Sequence, residues 1–206
     1  MDINGYFERV YCINLDRRTD KWSECLLLFQ KHNIDVTRFS AVDGKKLSPK
    51  LRGNISPGEA GCSHSHLAIF HEIVDKGLQN ALILEDDVDF VEDIVEIFAK
   101  AYHHMPQWDL LYLGGTHMEK PLRINEYFGK VSKTYSTSHY AVTNEIASEL
   151  INSVGQCKKQ VDVVISEIQP IRKSYVYMPS IAWQRPTVSD IHGIYVDYTP
   201  FMKPRL

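Results

Sequence analysis

Residues 81–84 read Ala-Leu-Ile-Leu and switch without transition to Glu85-Asp86-Asp87. A run that is short and apolar at every position reads as a strand covered on both faces. A half-exposed strand would alternate with polar residues instead. Apolar or β-branched segments of similar length recur at residues 10–15, about 36–42, 110–113, 139–142 and 174–178. Between them lie helical patterns at residues 19–31, about 57–76, 94–101, 144–153 and 162–168. The second of these opens on Ser56-Pro57-Gly58-Glu59, with Ser as N-cap, Pro at the first helical position and Glu three residues after the cap. In the first, Trp22, Leu26 and Phe29 are expected on one apolar face. Strands alternating with helices specify an α/β domain with a mostly parallel sheet. The tail after Pro179 reads as irregular.

No linker, repeat or low-complexity stretch divides the 206 residues, so one domain over residues 1–206 is expected. Lys and Arg number 23 against 26 Asp and Glu, a net charge of −3, which lacks the basic excess of a nucleic-acid binder. No apolar run approaches the ~20 residues of a membrane span. The opening MDINGYFERV has no apolar stretch of a secretory signal. Cys12, Cys25, Cys62 and Cys157 are scattered, and the first two sit in apolar stretches as reduced core residues. A cytoplasmic location is the simplest reading. Lys203 and Arg205 in the tail leave room for peripheral contact with an anionic acceptor or membrane surface.

Ligands of open α/β sheets bind beyond the carboxyl ends of strands, where Glu85-Asp86-Asp87 falls. Alternation along an extended chain sends Glu85 and Asp87 to one side and Asp86 to the other. Two carboxylates there can hold a hard divalent cation that bridges a nucleotide's phosphates. A solvated acidic turn is the competing reading. Arg17-Arg18 after the first strand can likewise be a solvated turn or a fork for phosphate or base. His64 and His66, two apart on a helix, cannot share a face, which disfavours joint metal binding. His64 and His71 read as surface or packing residues, and Trp22, Phe29, Phe39 and Phe70 as core or edge packing.

Four segments in order resemble glycosyltransferase family 25: Tyr11-Cys12-Ile13-Asn14-Leu15-Asp16-Arg17-Arg18, Ala41-Val42-Asp43-Gly44-Lys45, Gly58-Glu59-Ala60-Gly61-Cys62-Ser63-His64-Ser65-His66 and Ile83-Leu84-Glu85-Asp86-Asp87-Val88. A weaker match continues through His139-Tyr140-Ala141-Val142 and Val161-Asp162 to Gln184. The family includes lipopolysaccharide-type sugar transferases and collagen hydroxylysine galactosyltransferases. The resemblance implies a single Rossmann-like, metal-dependent glycosyltransferase domain of the GT-A type. It would move galactose or glucose, with inversion, from a nucleoside diphosphate sugar (UDP-galactose or UDP-glucose). The acceptor would be a hydroxyl of a glycan, a lipid-linked saccharide or a hydroxylysine, and the cation Mn²⁺ or Mg²⁺.

The same resemblance implies the site. Glu85-Asp86-Asp87 would play the role usually called DxD, with Glu in place of the first Asp. Asp87 would be the direct metal ligand, joined by Glu85 and, late in the chain, His192. The donor would be bound by Ile13, Asn14, Leu15, Arg17, Arg18, Asp43, Gly44, Ser65, His66, Glu85, Asp86, His139 and Gln184. Plain sheet packing competes for His139, and solvent exposure for His192. An inverting attack needs a carboxylate on the acceptor side. Asp162 is the first candidate and Glu167 the reserve, although a helix-starting Asp can also be an N-cap. Two other classes compete. A receiver-type phosphoryl-transfer domain needs acids after the first strand, where this chain has one Asp and two Arg. A non-catalytic nucleotide-sugar binding domain would lack the acidic motif, which is intact.

Overall fold

A computed structural model describes residues 1–204. Its main sheet contains β1 (Val10–Asn14), β2 (Thr37–Ser40), β3 (Asn80–Glu85), β5 (Leu110–Tyr112), β6 (Leu122–Arg123), β7 (Phe128–Lys130), β8 (His139–Thr143) and β9 (Ser174–Tyr177). A separate ribbon pairs β4 (Val88–Phe90) with β10 (Ala182–Gln184). The sheet order is β2-β1-β3-β8-β5-β9-β7-β6. β8 runs against both of its neighbours and β7 against both of its own, so the other six strands share one direction. The expected α/β class with a mostly parallel, mixed sheet is what the chain adopts.

Helices cover both faces: α1 (Thr19–Lys31), α2 (Pro57–Asp75), α3 (Ile94–Tyr102), α4 (Asn144–Gly155) and α5 (Val161–Ile168). Alternation along β3 divides the core between them. Leu82 and Leu84 pack with Cys25, Phe29 and Phe98 beneath α1 and α3. Ala81 and Ile83 pack with Phe70, Leu150 and Ile165 beneath α2, α4 and α5. β3 is apolar at every central position because it has no solvent face.

The Ser56–Glu59 capping box forms as the spacing requires: Glu59 N donates to Ser56 Oγ at 3.3 Å and Ser56 N to Glu59 Oε2 at 2.8 Å. Two expectations are corrected. The buried face of α1 is Lys21, Cys25 and Phe29, while Leu26 is 41% exposed, so the helix sits rotated from the face that hydrophobicity alone selects. The segment after Pro179 is organised rather than irregular. It supplies β10, a short hairpin of Thr187–Val188 with Tyr195–Val196, and a helical turn Thr199–Met202. Lys203 lies over the Trp183 ring at 4.6 Å, while Arg205 lies outside the described residues. All four cysteines are free thiols. Among the described residues no helix is long and apolar enough to cross a membrane.

Candidate active site

The parallel strands β1, β2 and β3 deliver three loops to one edge of the sheet. A cavity of about 280 Å³ opens there, lined in part by Ile13, Leu15, Arg17, Asp43, Gly44 and Ser65. Gly44 allows the loop after β2 to press on the start of α2: a Cβ there would stand 1.6 Å from the Pro57 carbonyl oxygen. Ser65 pins the same loop, accepting from Val42 N at 2.9 Å and donating to the Gly61 carbonyl at 2.7 Å.

The acidic motif does not alternate as an extended segment would. β3 ends at Glu85, the chain turns through Asp86 and Asp87, and all three carboxylates reach the cavity wall. Each has its own partners. Asp86 accepts from Asn14 Nδ2 at 2.7 Å and faces Lys21 Nζ at 3.2 Å; burial still pushes its carboxyl up. Glu85 accepts from Thr137 Oγ1 at 2.8 Å and meets His66 Nε2 at 3.3 Å; burial opposes its charge, but these two partners and Lys21 hold it below the usual range. Asp87 accepts from Gln184 Nε2 at 2.8 Å on Oδ2 alone. Its Oδ1 is buried with no hydrogen-bond partner among the described residues. Burial first, then the neighbouring Glu85, pushes the Asp87 carboxyl up to about 7. A buried carboxylate oxygen left open beside two further acids fits a hard divalent cation.

A cluster of opposite sign faces these acids. Arg17 donates to Asp43 and Asp190, both at 3.0 Å. Arg18 pairs with Asp20 at 2.8 Å and also with Asp190. Lys21, 5% exposed on the inner face of α1, bridges Asp86 and Asp190, the latter at 3.4 Å. Burial works against its ammonium, but Asp86, Asp87 and Asp190 outweigh it and hold the pKa up. Lys21 and Asp190 escaped the sequence reading. The available signal was the i, i+4 spacing of Lys21 to Cys25 and Phe29; nothing local marked Asp190.

A second cavity of about 390 Å³ adjoins the first, and the two share Cys62, Glu85, Gln184, Ser189 and Ile191 as a wall. Asp162 lines it with Tyr135, Thr137 and His192. Burial raises the Asp162 carboxyl above its usual range. Asp162 is not the N-cap of α5, a place taken by Gln160.

The remaining candidates are placed unevenly. Asn14 and His66 act behind the wall, through Asp86 and Glu85. His139 is buried on β8, its Nδ1 against Ser138 Oγ at 2.7 Å, and is absent from the described lining of either cavity. His192 reaches the second cavity rather than the first, and its backbone N is held by Ser189 Oγ at 3.2 Å. Glu167 is half exposed, pairs with Lys159 and is also absent from that lining. His64 Nε2 contacts the Leu51 carbonyl at 2.8 Å, in keeping with a packing role.

Residues 7–165 match the model of glycosyltransferase family 25 (LPS biosynthesis protein). The chain belongs to glycosyltransferase family 25. A "Glycosyltransferase 25 family member" of Anopheles gambiae is 34% identical over 167 residues, covering 69% of this chain and 28% of the relative. "Procollagen galactosyltransferase 2" of Homo sapiens is 27% identical over 173 residues, covering 71% and 28%. A "Probable inactive glycosyltransferase 25 family member 3" of Rattus norvegicus is 27% identical over 164 residues, covering 68% and 29%. The chain thus spans less than a third of the length of these relatives.

Proposed function

We propose that this chain is a metal-dependent, inverting glycosyltransferase that moves a hexose from a nucleoside diphosphate sugar, UDP-galactose or UDP-glucose, to an acceptor hydroxyl on a glycan, lipid-linked saccharide or hydroxylysine. The observation that carries this reading is the pair of adjoining cavities, with the open oxygen of Asp87 at the first and the carboxylate of Asp162 at the second. The first cavity takes the nucleotide diphosphate, between the acids and the cations Arg17 and Lys21, with Arg18 behind them on Asp190. The second takes the acceptor.

Asp87, with Asp86 and Glu85 beside it, would hold Mn²⁺ or Mg²⁺. When bound, such a cation supplies positive charge to the diphosphate as negative charge grows on it. The chain's own groups do the rest. The acceptor oxygen forms a bond to the anomeric carbon, and the carbon–oxygen bond to the diphosphate breaks with its electron pair leaving on phosphate. Asp162 takes the acceptor's proton, a task suited to a carboxylate whose affinity for protons burial has increased. Gln184 holds Asp87 Oδ2 and leaves Oδ1 without a hydrogen-bond partner among the described residues, free for a cation.

A second reading, a non-catalytic nucleotide-sugar binding domain, is favoured by the names of relatives called "Probable inactive", the rat protein among them. A panel of nucleotide sugars tested for hydrolysis, then for transfer to glycan and hydroxylysine-peptide acceptors, separates the two. Stabilisation by UDP and manganese without turnover on any donor would favour the binding domain. Absence of both would overturn either reading.

A further inference from the structure

We propose that Cys62, His66 and Glu85 form a second cation site, adjoining the open oxygen of Asp87 and sharing Glu85 with it, that takes a thiophilic divalent metal of the zinc class. Cys62 and His66 are four apart on α2 and therefore share a face. Glu85, at the end of β3, lies opposite that face. The thiol sulfur, an imidazole nitrogen and a carboxylate oxygen all lie within 4.8 Å of one another.

One edge of the cluster already has the span of a metal site. His66 Nε2 and Glu85 Oε1 are 3.3 Å apart. Two ligands each ~2.0–2.1 Å from a tetrahedral zinc stand about 3.3–3.4 Å apart, so this pair already spans one edge of such a site. The outer partners are also present. Tyr140 OH meets His66 Nδ1 at 2.9 Å, and Thr137 Oγ1 donates to Glu85 Oε1 at 2.8 Å. On binding an ion, the imidazole proton would sit on Nδ1 with Tyr140 accepting it, and the Nε2 lone pair would go to the metal in place of the hydrogen bond to Glu85, the arrangement that orients histidine ligands. Cys62 and Glu85 line both cavities, so the fourth position of a tetrahedral ion opens to them. A sulfur, nitrogen and oxygen set selects zinc-class ions over Mg²⁺ and Mn²⁺, which prefer oxygen alone. On binding, a sulfur–metal bond replaces the Cys62 S–H bond and the thiol proton leaves to solvent. The spacing of Cys62 to His66, rather than of His64 to His66, is the pattern that matters.

The test uses Co²⁺ as a visible stand-in for Zn²⁺ on the metal-free chain and needs no sugar transfer, so it stands apart from the proposed activity. Wild type should show a thiolate-to-cobalt charge-transfer band that Zn²⁺ abolishes and Mg²⁺ does not. Asp87→Asn should keep the band, and a folded Cys62→Ser should lose it. Tyr140→Phe, which leaves all three ligands in place, should weaken Zn²⁺ affinity roughly 10- to 100-fold. No band in wild type would overturn the proposal. So would a band that survives in Cys62→Ser, which would put the ion at another thiol such as Cys157, 3.6 Å from His64 Nε2. If Cys62→Ser does not fold, unchanged Zn²⁺ affinity in Tyr140→Phe decides against the site.

Discussion

Asp87 and Asp162 stand on opposite sides of a shared wall, and each can be challenged by changing one atom. Asp87→Asn removes the charge that the proposed cation would need while keeping the side chain's shape. It should abolish turnover and remove the manganese-dependent thermal stabilisation by UDP, with the far-ultraviolet spectrum unchanged. Persistence of that stabilisation would show that the cation is held elsewhere. Asp162→Asn should lower turnover by roughly 10²- to 10⁴-fold, the scale of losing a general base, and leave nucleotide binding nearly as it was. Glu167→Gln should be close to wild type because Glu167 faces Lys159; the reverse ranking would move the base to Glu167. The acids were readable in the sequence because an apolar strand that ends in three carboxylates has few structural explanations. Lys21 was hidden because lysine is ordinarily a surface residue. Asp190 was hidden because its partner Arg17 lies 173 positions away, and pairing across such a distance leaves no periodic trace.

The elements that carry these side chains are held by identifiable devices. The capping box of α2 satisfies two backbone donors at the helix start, and Ser56→Ala should cost about 1 kcal/mol. In a chain of this size that is a fall of about 2–4 °C in Tm, measurable by calorimetry. The short hairpin after β10 is fastened differently. Asp190 ties it to Arg17, Arg18 and Lys21 on and before α1. Asp190→Asn should leave the sheet's amides protected from hydrogen exchange while those of residues 186–198 exchange several-fold faster. Uniform loosening of both would mean that Asp190 supports the whole fold instead. Helix positions were legible to within a residue or two from periodicity and capping. The rotation of α1 was not, because the ion pairs that draw Lys21 inward outweigh the preference of Leu26 for burial.

Across the whole molecule, six of the eight strands of the main sheet were legible, while β4, β6, β7, β10 and the strand order were not. Hydrophobic runs report that a strand is covered on both faces, but they carry no direction. The sequence therefore could not announce that β8 inserts antiparallel between β3 and β5. The two-residue strands between residues 116 and 135 are too short to show a period. β8 also places a titrating group in the core: burial lowers the imidazole of His139 from 6.5 to about 4. Between those values the unfolded chain binds more protons than the folded one. Stability is therefore lost as pH falls from about 6.5 toward 4 and is unaffected by this group above that range. His139→Gln should show a smaller drop in Tm between pH 7 and pH 5 than wild type; an equal drop would assign the acid sensitivity to other groups. The fastening of residues 17–21 to residue 190 has a further consequence, for synthesis. Chains leave the ribosome amino end first. The last strand of the main sheet ends at Tyr177, yet the first cavity is walled in part by Gln184 and residues 189–191. A nascent chain with residues up to about 180 clear of the ribosome would own the entire sheet and the helices on both its faces, with the cavity still lacking the part of its wall formed by Gln184 and residues 189–191. A ligand of that cavity would gain its full set of contacts only once the chain past Ile191 has emerged, so whatever stability it adds comes last in synthesis.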